Sequence, residues 1–196
     1  MLPLRHTLGA RTARLGFPFV ITGACLAGCA PGANLTPIPR YDPASYTIGV
    51  GDRINVATFG ENQFQTDTRV PVDGSIAFPL IGMVKAKGLT TRELSESVAT
   101  TLREQHILSN ARVTVQVLDY RPISVIGEVE HGGQFSYQPG MTMLKAVAAA
   151  GGFSYRAFQD YAYVVRQEPG GAVVGRIEPQ DYVKPDDVIK IYERHF

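Results

Sequence analysis

The sequence predicts an α+β protein of two small units, each a curved sheet with one main helix. Three observations carry this. From Tyr46 onward, short runs of alternating apolar residues are separated by turn residues, the pattern of half-buried strands. One stretch in each half has instead the three-to-four spacing of an amphipathic helix. Arg121-Pro122 breaks the chain between the two halves.

The chain opens on Arg5, Arg11 and Arg14, followed by a mostly apolar stretch from Leu15 to Ala27 and then small residues. That order is a secretory signal. The stretch is too short, and too interrupted by Pro18 and Gly23, to span the roughly 30 Å of hydrocarbon that takes about 20 apolar residues. Its end, Leu26-Ala27-Gly28-Cys29, resembles the bacterial lipoprotein box. The resemblance implies cleavage between Gly28 and Cys29, a diacylglyceryl group on the Cys29 sulfur, and acylation of the new amine. Ala30 stands where an Asp is the usual inner-membrane retention signal, so the same resemblance favours the outer membrane. Two other readings exist: a metal or redox pair of Cys25 and Cys29, which lacks a second ligand pair, and an ordinary signal cut elsewhere.

Removing 28 of the 196 residues leaves 168, enough for two small domains. The signal carries three of the 19 basic residues and none of the 18 acidic ones, so the mature chain has 16 against 18. No basic field for nucleic acid exists. The mature chain has no thiol free for a disulfide and no apolar run near 18 residues, so packing must stabilise it and acyl chains must hold it. Each buried methylene of such a chain contributes about 0.8 kcal/mol of membrane affinity. Residues 29–45, with four prolines and little periodicity, read as a lipidated flexible tether.

The first unit spans 46–120. "DRINVATF" puts Ile54 and Val56 on one strand face, and Asp73-Gly74 reads as a hairpin turn between two short strands. Next comes a helix of about four turns. Thr90 and Glu93 form its capping box, Leu94, Val98 and Leu102 its buried stripe, and Arg92, Glu93, Glu96, Arg103 and Glu104 its solvated face. "ARVTVQVLDY" closes the unit as a strand.

The second unit spans 121–196. "ISVIGEV" is a strand and "EHGGQFSY" a turn with a returning strand. Thr142 caps a second helix with Leu144, Val147 and Ala148 as its stripe, ended by Gly151-Gly152 in left-handed conformation. "DYAYVVRQ" and "AVVGRI" pair across Pro169-Gly170-Gly171, and "KPDDVIKIYERHF" supplies a last strand. "GDRINV" and "DDVIKI" echo each other, each turning on an Asp into alternating Ile or Val.

Catalytic chemistry has little footing. His106, His131 and His195 stand alone without Cys or His at ligand spacing, so no metal and no cofactor is expected. No G-x-S-x-G elbow, phosphate loop or H-E-x-x-H occurs. Glu128 and Glu130 fall on one strand face by period two, an arrangement open to glycosidase acid-base work or to plain solvation. Tyr155, Phe158, Tyr161 and Tyr163, with Tyr137 beside them, form a cluster suited to sugar stacking or to packing.

"YTIGVGDRINVATFG", "VPVDGSIAFPLIGMVKAKGLTTREL" and "ARVTVQVLDY" together are similar to the polysaccharide-export domain of the bacterial outer-membrane polysaccharide export lipoproteins. "ISVIGEVEHGGQFSYQPGMTMLKAVAAAGGFSYRAFQDYAYVVR" resembles their soluble-ligand-binding β-grasp (SLBB) module. The resemblance implies a non-enzymatic part of a capsular or exopolysaccharide export machine: a homo-oligomeric ring, lipid-anchored through Cys29 on the periplasmic face of the outer membrane, guiding a hydrated polysaccharide. It also implies an inner-membrane co-polymerase, often with a tyrosine kinase, as partner. The chain stops at Phe196 without the family's C-terminal amphipathic helix, so a separate outer-membrane β-barrel is expected to supply the hole. Asp186 stands where the family often has Gly, leaving that turn open. The alternatives are a monomeric periplasmic lipoprotein that binds a glycan or small ligand, and a carbohydrate-active enzyme using Glu128 or Glu130.

Overall fold

The structure, a computed structural model, describes residues 31–32 and 34–194. Cys29, Gly28, Cys25 and His195 lie outside them. The architecture is α+β, with two helices, several sheets and two apolar cores.

The first core lies under a three-stranded antiparallel sheet of Arg53–Thr58 (β1), Glu61–Arg69 (β2) and Val113–Asp119 (β5), in the order β2-β1-β5. Period-two alternation sinks Ile54 and Val56 completely. Against this sheet packs Thr91–Glu104 (α1), burying Leu94, Val98 and Leu102. Each such side chain contributes about 1.5–3 kcal/mol when taken from water. Thr90 accepts from the Glu93 amide at 3.2 Å while the Glu93 carboxylate takes the Thr90 amide at 2.7 Å, closing the expected capping box. Its five charged positions are exposed.

The hairpin expected at Asp73-Gly74 is elsewhere. Ser75–Phe78 (β3) pairs with Gly82–Lys85 (β4), whereas Pro71–Gly74 is a turn between β2 and β3, which belong to different sheets. Gly74, at φ +78°, uses its carbonyl to accept from both Ala86 and Lys87 at 2.9 Å. An Asp-Gly pair reports a tight turn, but whether the flanking strands pair depends on what each meets across the core.

The second core lies under a five-stranded mixed sheet in the order β7-β6-β10-β8-β9, from Ile123–Gly127 (β6), Gly133–Phe135 (β7), Ala162–Glu168 (β8), Gly171–Ile177 (β9) and Val188–Ile191 (β10). β10 runs parallel to β6 and antiparallel to β8. The helix between, Met143–Ala149 (α2), is capped by Thr142 and ends where Gly151 and Gly152 take φ +87° and +103°. Its buried stripe is Met143, Ala146, Val147 and Ala150; Leu144 is 50% exposed and Ala148 faces out. Of the expected stripe Val147 is buried, while Met143 and Ala146 take the places expected for Leu144 and Ala148, because the alanines leave several helix faces of similar hydrophobicity.

The proline-rich segment expected to be a tether lies along the second domain from Pro31 to Tyr41. The Ile38 amide donates to the Arg176 carbonyl at 3.2 Å and the Arg176 amide to the Thr36 carbonyl at 3.0 Å, so the segment adds to the β9 edge. Ile38 is buried in the second core. Prolines suit an edge strand because the missing amide faces away from the ladder. The second core thus takes Ile38 from before the first unit in sequence and the rest of its residues from after it.

Candidate functional site

Two buried carboxylates organise the space between the cores. Asp52, at 0% exposure, accepts from the Gly49 amide at 2.7 Å, from the Arg121 amide and Nε at 3.1 and 3.3 Å, and from the Tyr46 hydroxyl. Burial and the adjoining carboxylate push the Tyr46 hydroxyl far above its ordinary value, so it stays a donor. Asp187, at 1% exposure, accepts from the Lys184 amide at 2.7 Å and, in a fork, from Arg166 Nε at 3.0 Å and Nη2 at 2.7 Å. Burial pushes its carboxyl upward, with Arg166 pulling the other way.

The two constellations superpose on the echo between "GDRINV" and "DDVIKI". Gly51 and Asp186 both take left-handed φ, +96° and +78°, so the aspartate makes the same turn as the glycine. Asp52 and Asp187 follow, then Ile54 and Ile189 are buried completely. In each, a carboxylate at a strand start is met by an arginine from an antiparallel neighbour, Arg121 just after β5 and Arg166 on β8.

Between these hubs opens a cleft of about 1010 Å³. Residues Pro39 to Asp42 of the N-terminal segment form one wall, Lys85 and Lys87 another, and Gln167 to Pro169 with Lys184 the third. The Tyr41 ring lies beneath the Arg166 guanidinium at 5.6 Å and the Lys184 ammonium at 5.9 Å. Lys184 also pairs with Glu168 at 3.1 Å. Edge-to-face rings at 5.1 and 5.4 Å, Tyr46 on Tyr120 and Tyr120 on Tyr137, tie the first core to the second. Of the cations along the walls, Arg40, Arg121, Arg166 and Lys184 are each paired with a carboxylate, Asp181, Asp52, Asp187 and Glu168 in turn.

The residues singled out in the sequence are dispersed. Glu128 and Glu130 lie past the end of β6, on either side of buried Val129, rather than on one strand face. Glu128 accepts from the Ser154 hydroxyl at 2.6 Å, and Glu130 is exposed. Tyr137 sits at the domain junction with Tyr120, away from the Phe158–Tyr161 and Tyr163–Tyr192 pairs at 4.7 and 6.5 Å. Among the described residues no three His, Cys, Asp or Glu side chains gather where a metal would bind. Sequence reasoning missed Arg121, Arg166, Tyr41 and Tyr46. Arg166 had a signal: it takes the third inward position after Ala162 and Val164, where a charge implies a buried partner.

Each of the two cores carries a buried Asp–Arg pair at the start of one of its strands, Asp52–Arg121 in the first and Asp187–Arg166 in the second. Comparison with known proteins gives the family. Residues 40–118 match the family described as polysaccharide biosynthesis/export protein, and residues 122–177 match the SLBB domain. The chain belongs to the polysaccharide export family. It is similar to the exopolysaccharide production protein ExoF of Rhizobium meliloti, 31% identical over 63% of this chain and 31% of the relative. It is also similar to the EPS I polysaccharide export outer membrane protein EpsA of Ralstonia nicotianae, 32% identical over 55% of this chain and 29% of the relative. The polysialic acid transport protein KpsD of Escherichia coli is 28% identical over 55% of this chain and 19% of its own length. The chain spans less than a third of the length of each of these relatives.

Proposed function

We propose that this protein is a non-enzymatic component of a capsular or exopolysaccharide export machine, anchored by a lipid on Cys29 to the periplasmic face of the outer membrane and assembled there as a ring. The observation that carries this reading is the pairing, in one chain and in family order, of the export domain with the SLBB domain. Its relatives are named for exopolysaccharide production, polysaccharide export and polysialic acid transport. The lipoprotein box ends two residues before Pro31. Among the described residues no helix is long and apolar enough to cross a membrane.

The mechanism in this reading is passive. Subunits surround a hydrated polymer, contacts with its hydroxyls stay weak and repeated, and polymer synthesis together with an inner-membrane co-polymerase supplies the driving energy. A separate outer-membrane β-barrel supplies the passage through the bilayer. The interdomain cleft favours one other reading, a monomeric lipoprotein that captures a glycan or small ligand. Native mass spectrometry of the detergent-solubilised protein, with polysaccharide secretion measured in a deletion strain, separates the two. A ring together with retained polymer supports export. A monomer in a strain that still secretes overturns it.

A further inference from the structure

The five-stranded sheet packs one face on its core, and among the described residues no second layer of helix or sheet covers the other. Across that open face one register row reads Ile126, Lys190, Tyr163 and Arg176, and the next reads Ser124, Val188, Val165 and Val174. Neither row holds a carboxylate. Ile126 is 44% exposed and Val174 45%. The two cations lie over aromatic rings, Arg176 at 5.2 Å from Tyr161 and Lys190 at 6.0 Å from Tyr192.

The N-terminal segment arrives on this same face. The Tyr161 hydroxyl donates to the Pro31 carbonyl at 2.9 Å, and Gly32 lies so close to Tyr192 that a Cβ there would stand 2.8 Å from the ring. Cys29 is two residues further back, and a residue reaches at most about 3.6 Å. An acyl chain on its sulfur would therefore start no farther from Pro31 than roughly 7 Å plus the length of one side chain.

We propose that this open sheet face, centred on Tyr161, Tyr163, Tyr192, Lys190 and Arg176, is a membrane-contact surface that lies on anionic phospholipid headgroups. The proposal rests on the reading of Cys29 as lipidated. The physical case is that a short tether brings the bilayer to the place where the chain presents what an interface selects. Tyrosine rings sit at headgroup depth with their hydroxyls wet. Lysine and arginine stems lie along apolar surface with their charges outward. A cation near an anionic leaflet contributes about 1 kcal/mol, and no carboxylate in the two rows opposes it. The second domain is then oriented by its sheet, not merely tied at one point.

The chain has no tryptophan, so a single introduced one is an unambiguous reporter. The full mature protein carrying Val174→Trp or Tyr192→Trp is reconstituted into vesicles of brominated phosphatidylcholine and phosphatidylglycerol. Val72→Trp, in the first domain at a position 85% exposed, is the control. Quenching at Val174→Trp and Tyr192→Trp but not at Val72→Trp is expected. Equal quenching at all three, or none at the first two because a second subunit covers the face, overturns the proposal. A Cys29→Ser chain separates this from the anchor. It is expected still to bind phosphatidylglycerol vesicles weakly, with partitioning lowered by at least about fivefold for each of Arg176→Glu and Lys190→Glu. If Cys29→Ser leaves membrane attachment unchanged, the lipid reading fails while quenching still judges the face. If attachment needs Cys29 but neither quenching nor charge reversal has an effect, the anchor stands and the face is wrong.

Discussion

Asp52 and Asp187 occupy one and the same structural position in two different domains: each takes the amide three residues before it at 2.7 Å and each is paired with an arginine far along the chain. A buried carboxylate at this place closes the turn that starts a core strand and pins a neighbouring strand to it. The residue is charged because one group must satisfy an amide and a guanidinium together.

The Arg166–Asp187 pair is the more deeply buried, with side-chain exposures of 4% and 0%. Removing one partner leaves an uncompensated charge, so Arg166→Met or Asp187→Leu is expected to cost about 3–5 kcal/mol. The combined Arg166→Met, Asp187→Leu variant is expected to lose less than the sum. Urea unfolding of the four proteins checks this through the midpoint at constant slope.

Asp186 holds φ +78° in an exposed turn whose counterpart is Gly51 at +96°. A Cβ in this region is unfavourable by about 1 kcal/mol or more. Asp186→Gly is therefore expected to be neutral or stabilising by up to that amount, and Asp186→Val clearly destabilising because a β-branched side chain is poorly tolerated there. Thermal melts rank the three proteins.

Gly175 is the point where the N-terminal segment crosses β9. A Cβ there would stand 2.5 Å from the Ile38 side chain and 2.6 Å from the Thr36 carbonyl oxygen. Gly175→Ala is expected to lift this segment, withdrawing Ile38 from the second core at a cost of about 1–3 kcal/mol. Limited proteolysis should then cut between residues 34 and 41 much faster than in the parent chain, while cleavage elsewhere changes little.

Glu93 is held below its ordinary value of 4.5 by the Thr90 amide and hydroxyl that donate to it. A carboxyl lowered in the folded state stabilises that state above the unfolded value, and the contribution disappears as pH falls through the folded value. Glu93→Gln is accordingly expected to lower the urea midpoint at neutral pH. The gap to the parent protein should close once the pH is well under 4.5.

Much of this was legible along the chain. The first helix was readable to its cap because Thr90, Glu93, Leu94, Val98 and Leu102 interact within four residues, and local spacing encodes local contacts. The left-handed end of the second helix was likewise written in Gly151-Gly152. The second helix's stripe was not, because a run of alanines offers several faces of nearly equal hydrophobicity, and the choice falls to what packs on Met143.

The sequence by itself determined the α+β class and the family, since both depend on short-range periodicity and on motifs read in order. Only the tertiary structure decided that the proline-rich segment around Thr36 to Ile38 is an edge of the second sheet, and that Asp52 meets Arg121 across 69 residues. It also put Glu128 and Glu130 in bends beyond the end of β6 and Tyr137 at the junction. The reason is the same throughout. Pairing between distant segments is selected by the burial and hydrogen bonding of both partners at once, and neither partner carries that information alone.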